Sequence, residues 1–146
     1  MPTTQRTRTI AAPAGDVWAL VSDPHHLPRW WPRVARVEGV EGDVFTKVLT
    51  SPRGRMVRAD FQVVGVDERE LVLRWAQQVE GTPFARLLAG AETELRLRPV
   101  GRATEVTIEL RQALRGIFPR LGASRIRRAA RATLDEALDG LERIVG

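Results

Sequence analysis

Four stretches of this chain alternate apolar and polar residues with a period of two. Val57, Ala59, Phe61 and Val63 alternate with Arg58, Asp60 and Gln62, and Leu71, Leu73, Trp75, Gln77 and Val79 alternate with Arg74, Gln78 and Glu80. Further on, Thr93, Leu95 and Leu97 alternate with Glu94, Arg96 and Arg98, and Val106, Ile108 and Leu110 alternate with Glu105, Thr107, Glu109 and Arg111. Successive side chains of a strand point to opposite faces, so each stretch has one oily and one charged side. Parallel sheets are covered on both sides and read as continuous apolar runs, so the alternation predicts an antiparallel sheet with one wet face. The turn-like Pro99-Val-Gly-Arg102 between the last two stretches fits a hairpin.

The first third of the chain is mixed. Residues 3–10 read as a strand that ends at Ala12-Pro13. Asp16, Val17, Trp18, Leu20 and Val21 have helical spacing behind Pro13, and Ser22-Asp23-Pro24 stops that helix. Ser22 or Asp23 can cap a second short helix over Pro24 to Trp31, ended by Pro32. Arg33 to Glu38 and Asp43 to Thr50 then read as strands joined by Gly39-Val-Glu-Gly42. At the other end, Ile126, Ala130, Leu134, Ala137, Leu138, Leu141 and Val145 form one stripe of a long helix, which can cover the apolar face of the sheet. Thr82 to Gly90 is a long connection whose apolar content predicts that it folds over something. The fold class is therefore α+β, with about seven antiparallel strands, two short helices after the first strand and a long C-terminal helix.

At 146 residues and 43% hydrophobic content the sequence suits one domain, residues 1–146. No run approaches the roughly 18 to 20 apolar residues of a bilayer span, and the N-terminus lacks the apolar core of a secretory signal, so the expected compartment is the cytoplasm. Without cysteine there are no disulfides, thiolate metal sites or Cys nucleophiles. The two histidines are the neighbours His25 and His26, which seldom converge on one ion; no metal and no cofactor are expected. Net charge is +5, yet Lys47 is the only lysine among 23 basic residues. The leading reading of this arginine bias is a solvated, partly self-paired surface; the less favoured alternative is a basic surface for an anionic membrane or, as a partner- or RNA-binding module, for nucleic acid.

Ile10-Ala-Ala-Pro-Ala-Gly-Asp-Val-Trp18, Ser22-Asp-Pro-His-His-Leu-Pro-Arg-Trp-Trp31 and Leu134-Asp-Glu-Ala-Leu-Asp-Gly-Leu-Glu142 resemble the opening, the helical hairpin and the C-terminal helix of the START-related SRPBCC superfamily. That superfamily has the helix-grip fold and includes polyketide cyclase/dehydratase-like proteins. The resemblance spans nearly the whole chain. It implies an elongated apolar cavity between sheet and helix that takes a lipid, a polyketide or another hydrophobic small molecule, either as cargo or as the substrate of a cyclase/dehydratase-like enzyme. Ligand-binding candidates are Trp31, Phe61, Trp75, Gln77, Phe84, Leu88, Phe118, Leu121 and Ile126, with Leu87, Leu97 and Ile108 behind them. The competing reading of each is ordinary core packing.

Motifs for nucleophilic hydrolysis and for phosphate binding are absent: no Gly-x-Ser-x-Gly, no phosphate-cradling glycine loop. No catalytic residue is assigned. Acid-base work on a bound ligand would need a polar group deep in the cavity, and Gln77 and Glu92 are the best polar candidates. Arg115, Arg120, Arg125, Arg127, Arg128 and Arg131 crowd the beginning of the last helix, where like charges repel and the helix dipole is unfavourable. Pairing with Glu92, Glu94, Glu105 or Glu109 would relieve this. The sharper alternative is that Arg125, Arg127 and Arg128 receive an acidic partner or an acyl-carrier surface. The sequence leaves oligomeric state open.

Overall fold

A computed structural model describes residues 3–116 and 120–146, and of Arg120 and Leu121 only the backbone. Two of the candidates, Phe118 and the Leu121 side chain, lie outside the described residues. Strand β1 (Thr3–Ile10) is followed by helix α1 (Ala14–Val21), a 3-10 turn (Pro24–His26) and the single-turn helix α2 (Leu27–Trp30). Six strands come next: β2 (Val34–Glu41), β3 (Val44–Thr50), β4 (Met56–Asp67), β5 (Val72–Gln78), β6 (Leu88–Val100) and β7 (Ala103–Leu114). Helix α3 (Arg120–Val145) ends the chain. The fold is α+β, with one seven-stranded antiparallel sheet ordered β1-β7-β6-β5-β4-β3-β2.

Three boundaries differ from the sequence reading. The helix expected over Pro24 to Trp31 is split, because prolines at 24 and 28 remove backbone donors; Asp23 starts the 3-10 turn by accepting the His25 amide at 3.0 Å. Strand β2 continues to Glu41 through Gly39, whose φ of +59° is open to glycine, with register shifts against β3 on either side of the central pairs. The Thr82 to Gly90 connection is shorter than expected, because Pro83–Arg86 forms a 3-10 turn and β6 already begins at Leu88.

The alternation sorts the sheet as predicted. Leu73, Trp75, Leu95, Leu97, Val106 and Ile108 are buried on the concave side together with Val17, Val21, Leu27, Trp30, Leu134, Leu138 and Leu141 from the helices. Burial of such side chains, at about 1.5–3 kcal/mol each, holds the helices to the sheet. Thr104, fully buried, donates its hydroxyl to the Ala12 carbonyl at 2.7 Å and ties the β1–α1 corner to β7. Two arginines of β1 reach across to α3: Arg6 pairs with Asp135 at 3.2 Å, and Arg8 with Asp139 at 2.5 Å. The C-terminal half of α3 is thereby closed down on β1 and β7.

On the convex side the strand arginines pair with strand glutamates. Arg96 contacts both Glu94 and Glu109, Arg111 pairs with Glu109 at 2.8 Å, and Arg98 with Glu105 at 2.8 Å. These are the glutamates expected to balance the start of α3, and that expectation is corrected: they lie on the wet face, whereas α3 crosses the other. Among the described residues Arg125, Arg127 and Arg128 are exposed and make no ion pair. No described helix is long and apolar enough to cross a membrane.

Candidate functional site

The tryptophan pair divides its labour. Trp30, 2% exposed, is pinned under α3, where Gly140 passes so close that an added Cβ would lie 2.3 Å from the Trp30 carbonyl oxygen. Trp31 turns the other way, toward the middle of the sheet, because the chain leaves the α2 helix at Trp31 and reverses at Arg33, which takes the left-handed φ of 62°. The Thr50 amide donates to the Arg33 carbonyl at 2.9 Å and fixes that reversal on β3. The rings of Trp31 and Trp30 meet edge to face at 5.4 Å, those of Trp31 and Trp75 at 5.8 Å, and Phe45 stacks on Phe61 at 5.4 Å.

Over these rings the first half of α3 leaves room. Among the described side chains of the helix burial starts at Ala130; Gly122 to Ala129 are exposed or half-buried. A recess of about 280 Å³ runs from Trp31, Lys47 and Phe61 under Phe84 to Leu88, Leu110 and Thr133. A second, of about 220 Å³, shares Phe84, Leu88, Leu110 and Thr133 with it and opens between Leu87 and Ile126. A third, of about 250 Å³, reaches Trp31, Leu49, Phe84 and Thr133 from the Pro32–Pro52 side. Phe84 and Thr133 form the ridge where all three meet. Larger open recesses of about 370 and 400 Å³ lie at the Gly39–Gln78 edge and beside Arg29 and Glu136; neither contains Lys47.

Of the sequence-predicted residues, Trp31, Phe61, Gln77, Phe84 and Leu88 line the central recess, and Ile126 lines its neighbour. Trp75 is beneath them, 2% exposed, in contact with Lys47, Trp31 and Phe45 rather than on the wall. Leu97 and Ile108 belong to the packed core, and Leu87 is 52% exposed at the outer rim. Glu92 faces outward beside Arg111; it has the phase of Glu94 and Arg96, and its neighbour Ala91 is the residue that turns in.

The residue the sequence reading passed over is Lys47. On β3 it shares the inward phase of Phe45 and Leu49, pairs in register with Ala59 of β4 and Val37 of β2, and is 2% exposed. Its Nζ lies 4.2 Å from the Trp31 ring centre, 4.4 Å from Phe61 and 4.9 Å from Trp75. Among the described residues the ammonium has no hydrogen bond or ion pair. Burial brings its pKa down from 10.5 to about 7. Next to it on the wall, the Gln77 Nε2 is buried without an acceptor. The signal was available: a lone lysine on the apolar phase of a strand is a polar group aimed at the interior.

Asp23, His25 and His26 cluster at the first 3-10 turn. Asp23 accepts the His25 Nδ1 at 2.9 Å and is 3.7 Å from the His26 Nε2, and the His25 backbone hydrogen bond holds its carboxyl below the usual range. Among the described residues no three His, Asp or Glu side chains are placed to hold an ion.

A curved antiparallel sheet gripping a long C-terminal helix defines the helix-grip class. The chain belongs to the polyketide cyclase / dehydrase and lipid transport family, whose model matches residues 1–146. Among solved structures it is similar to the di-domain aromatase/cyclase BexL of the BE-7585A biosynthetic pathway, with TM-score 0.82 and 22% identity over 98% of this chain but only 46% of that one. A START superfamily protein from Mycobacterium smegmatis matches at TM-score 0.79 and 17% identity, covering 98% of this chain and 96% of that one. The ZhuI aromatase/cyclase from Streptomyces sp. R1128 matches at TM-score 0.73 and 18% identity, covering 97% and 89%. No curated protein matches the sequence significantly.

Proposed function

We propose that this protein binds a hydrophobic small molecule, of lipid, polyketide or aromatic type, in the recess between the sheet and α3. The observation that carries the reading is the recess itself: about 280 Å³ of space walled mainly by Trp31, Leu49, Phe61, Phe84, Leu88 and Leu110, with Lys47, Gln77, Thr93, Gln112 and Thr133 as its polar groups. A mostly apolar concavity with a small set of placed polar groups is the usual form of a small-molecule site, and this volume is just below the usual range, suited to one or two rings or a medium chain. Native mass spectrometry of gently purified protein should reveal a co-purified hydrophobic compound. The Phe84→Ala variant, which removes a half-buried ring from the ridge, should weaken binding of a naphthyl fluorophore about tenfold while leaving the thermal midpoint within a few degrees. Failure of every apolar probe to bind at micromolar concentration would end the proposal.

Lys47 favours a second reading, the cyclase/dehydratase-like one. An amine that titrates near neutrality inside an apolar pocket can take a proton from carbon next to a carbonyl, while the Gln77 amide donates to the carbonyl oxygen. General-base catalysis of that kind is worth roughly 10²–10⁴ in rate. In D₂O the protein should then speed deuterium entry into the methyl group of 2-acetonaphthone, followed by NMR, and Lys47→Met should remove the effect. A rate equal to that of buffer argues for a carrier.

A further inference from the structure

We infer that the inner end of the recess is a carboxylate seat: the natural ligand is an apolar acid whose head group pairs with Lys47 and accepts a hydrogen bond from Gln77. The inference rests on the cavity reading and narrows its ligand class. It starts from an imbalance of donors and acceptors. The Lys47 ammonium carries three N–H donors and accepts nothing, and among the described residues no oxygen receives any of them. The Gln77 Nε2 is a further buried donor without an acceptor, and the Trp75 Nε1, from the ring beneath Lys47, is another. Buried polar groups are normally satisfied, and a buried charge normally has a partner.

The described residues supply no such partner. No charged side chain faces Lys47 among the described residues: β2 offers Val37, β4 Ala59 and Phe61, β5 Gln77, β6 Ala91 and Thr93, β7 Gln112 and α3 Thr133. Burial lowers its pKa, and no neighbouring charge acts on it. Arg33 and Glu136, at the rims of neighbouring recesses, face each other at 3.9 Å instead. The three aromatic rings attract the cation through their faces and leave its N–H groups without an oxygen. What complements a cation and an amide donor at the end of an oily recess is an anion with two acceptor oxygens on an apolar body. A neutral lipid or hydrocarbon would leave the ammonium buried and unpaired.

The experiment compares 2-naphthoic acid, its methyl ester and 2-naphthalenemethanol, titrated into the full protein at constant ionic strength from pH 6 to 9. The acid stays ionised throughout, so its binding follows the charge of Lys47. At pH 6 the lysine is protonated and the acid should bind at least about tenfold more tightly than either neutral probe. Above the free-protein pKa of about 7, binding the acid requires proton uptake, so its Kd should rise by roughly tenfold per pH unit, while the neutral probes stay level. Lys47→Met should abolish the acid's advantage and its pH dependence but leave the ester's affinity in place, and Gln77→Leu should weaken the acid several-fold. If the neutral probes bind as well as the acid, or if its advantage survives Lys47→Met, the carboxylate seat is overturned and the cavity reading stands. If no probe binds, both fall.

Discussion

Lys47→Met is expected to make the folded protein more stable at pH 6, by about 2–4 kcal/mol, although it removes a charged residue from the candidate site. The sign follows from linkage. In the unfolded chain this lysine titrates near 10.5 and in the folded protein near 7, so between those values the unfolded state holds more protons and native stability rises with pH. Below pH 7 the full penalty of a buried unpaired ammonium is present; above 10.5 it is gone. The difference corresponds to roughly 4–5 kcal/mol, of which the three ring faces return a part. Methionine fills nearly the same volume without a charge, and replacing buried ions by apolar groups is often stabilising.

Urea unfolding at pH 6, 8 and 9.5 tests this directly. The wild-type free energy should climb across the series, and that of the variant should stay level. The chain has no tyrosine, no cysteine and no second lysine to add to the change between pH 8 and 9.5. A flat wild-type profile, or a variant less stable than wild type at pH 6, would mean that the ammonium has found a partner.

The second large effect is expected at Gly140. Alanine is the better helix former by about 1 kcal/mol, so propensity alone predicts that Gly140→Ala stabilises α3. The packing predicts the reverse. The new methyl would lie 2.3 Å from the Trp30 carbonyl oxygen, 2.9 Å from its Cα and 3.0 Å from its carbonyl carbon, and all three are backbone atoms of α2 that no rotamer change can move aside. Overpacking against backbone costs typically 1–3 kcal/mol and more where the neighbour is fixed, so a net loss of about 3 kcal/mol is expected in thermal or urea denaturation. Because α2 carries Trp31 at its end, the variant should also shift tryptophan fluorescence and weaken binding of naphthyl probes. Stability equal to or above wild type would show that α2 can stand further off from α3 at no cost.

Most of the architecture was legible because local pattern and tertiary role agree. Phe61, Trp75 and Ile108 have the inward phase of their strands, Leu134 and Leu138 the inward stripe of α3, and Pro13 and Asp23 punctuate the helices where they should. Gln77 was legible as a polar residue on an apolar phase. Lys47 has the same property, but weighing it as one count in an arginine-rich composition hid its position between Phe45 and Leu49. Glu92 failed for the opposite reason: its phase was known from Glu94 and Arg96, and it points out. What no periodicity could supply was how far the first half of α3 stands off from β7, or that the turn at Pro83–Arg86 brings Phe84 over the gap. Those depend on contacts between segments distant in sequence.

The placement of β1 has a temporal consequence. Its neighbour in the sheet is β7, with Thr7 meeting Thr107 a hundred residues later, while β2 lies at the far edge. During synthesis the first strand must wait, its edge unsatisfied, until nearly the whole chain has emerged. Such distant pairing slows folding and exposes a sticky edge in the interval, so nascent chains halted before residue 103 are expected to engage chaperones or aggregate far more readily than those that extend well past residue 114.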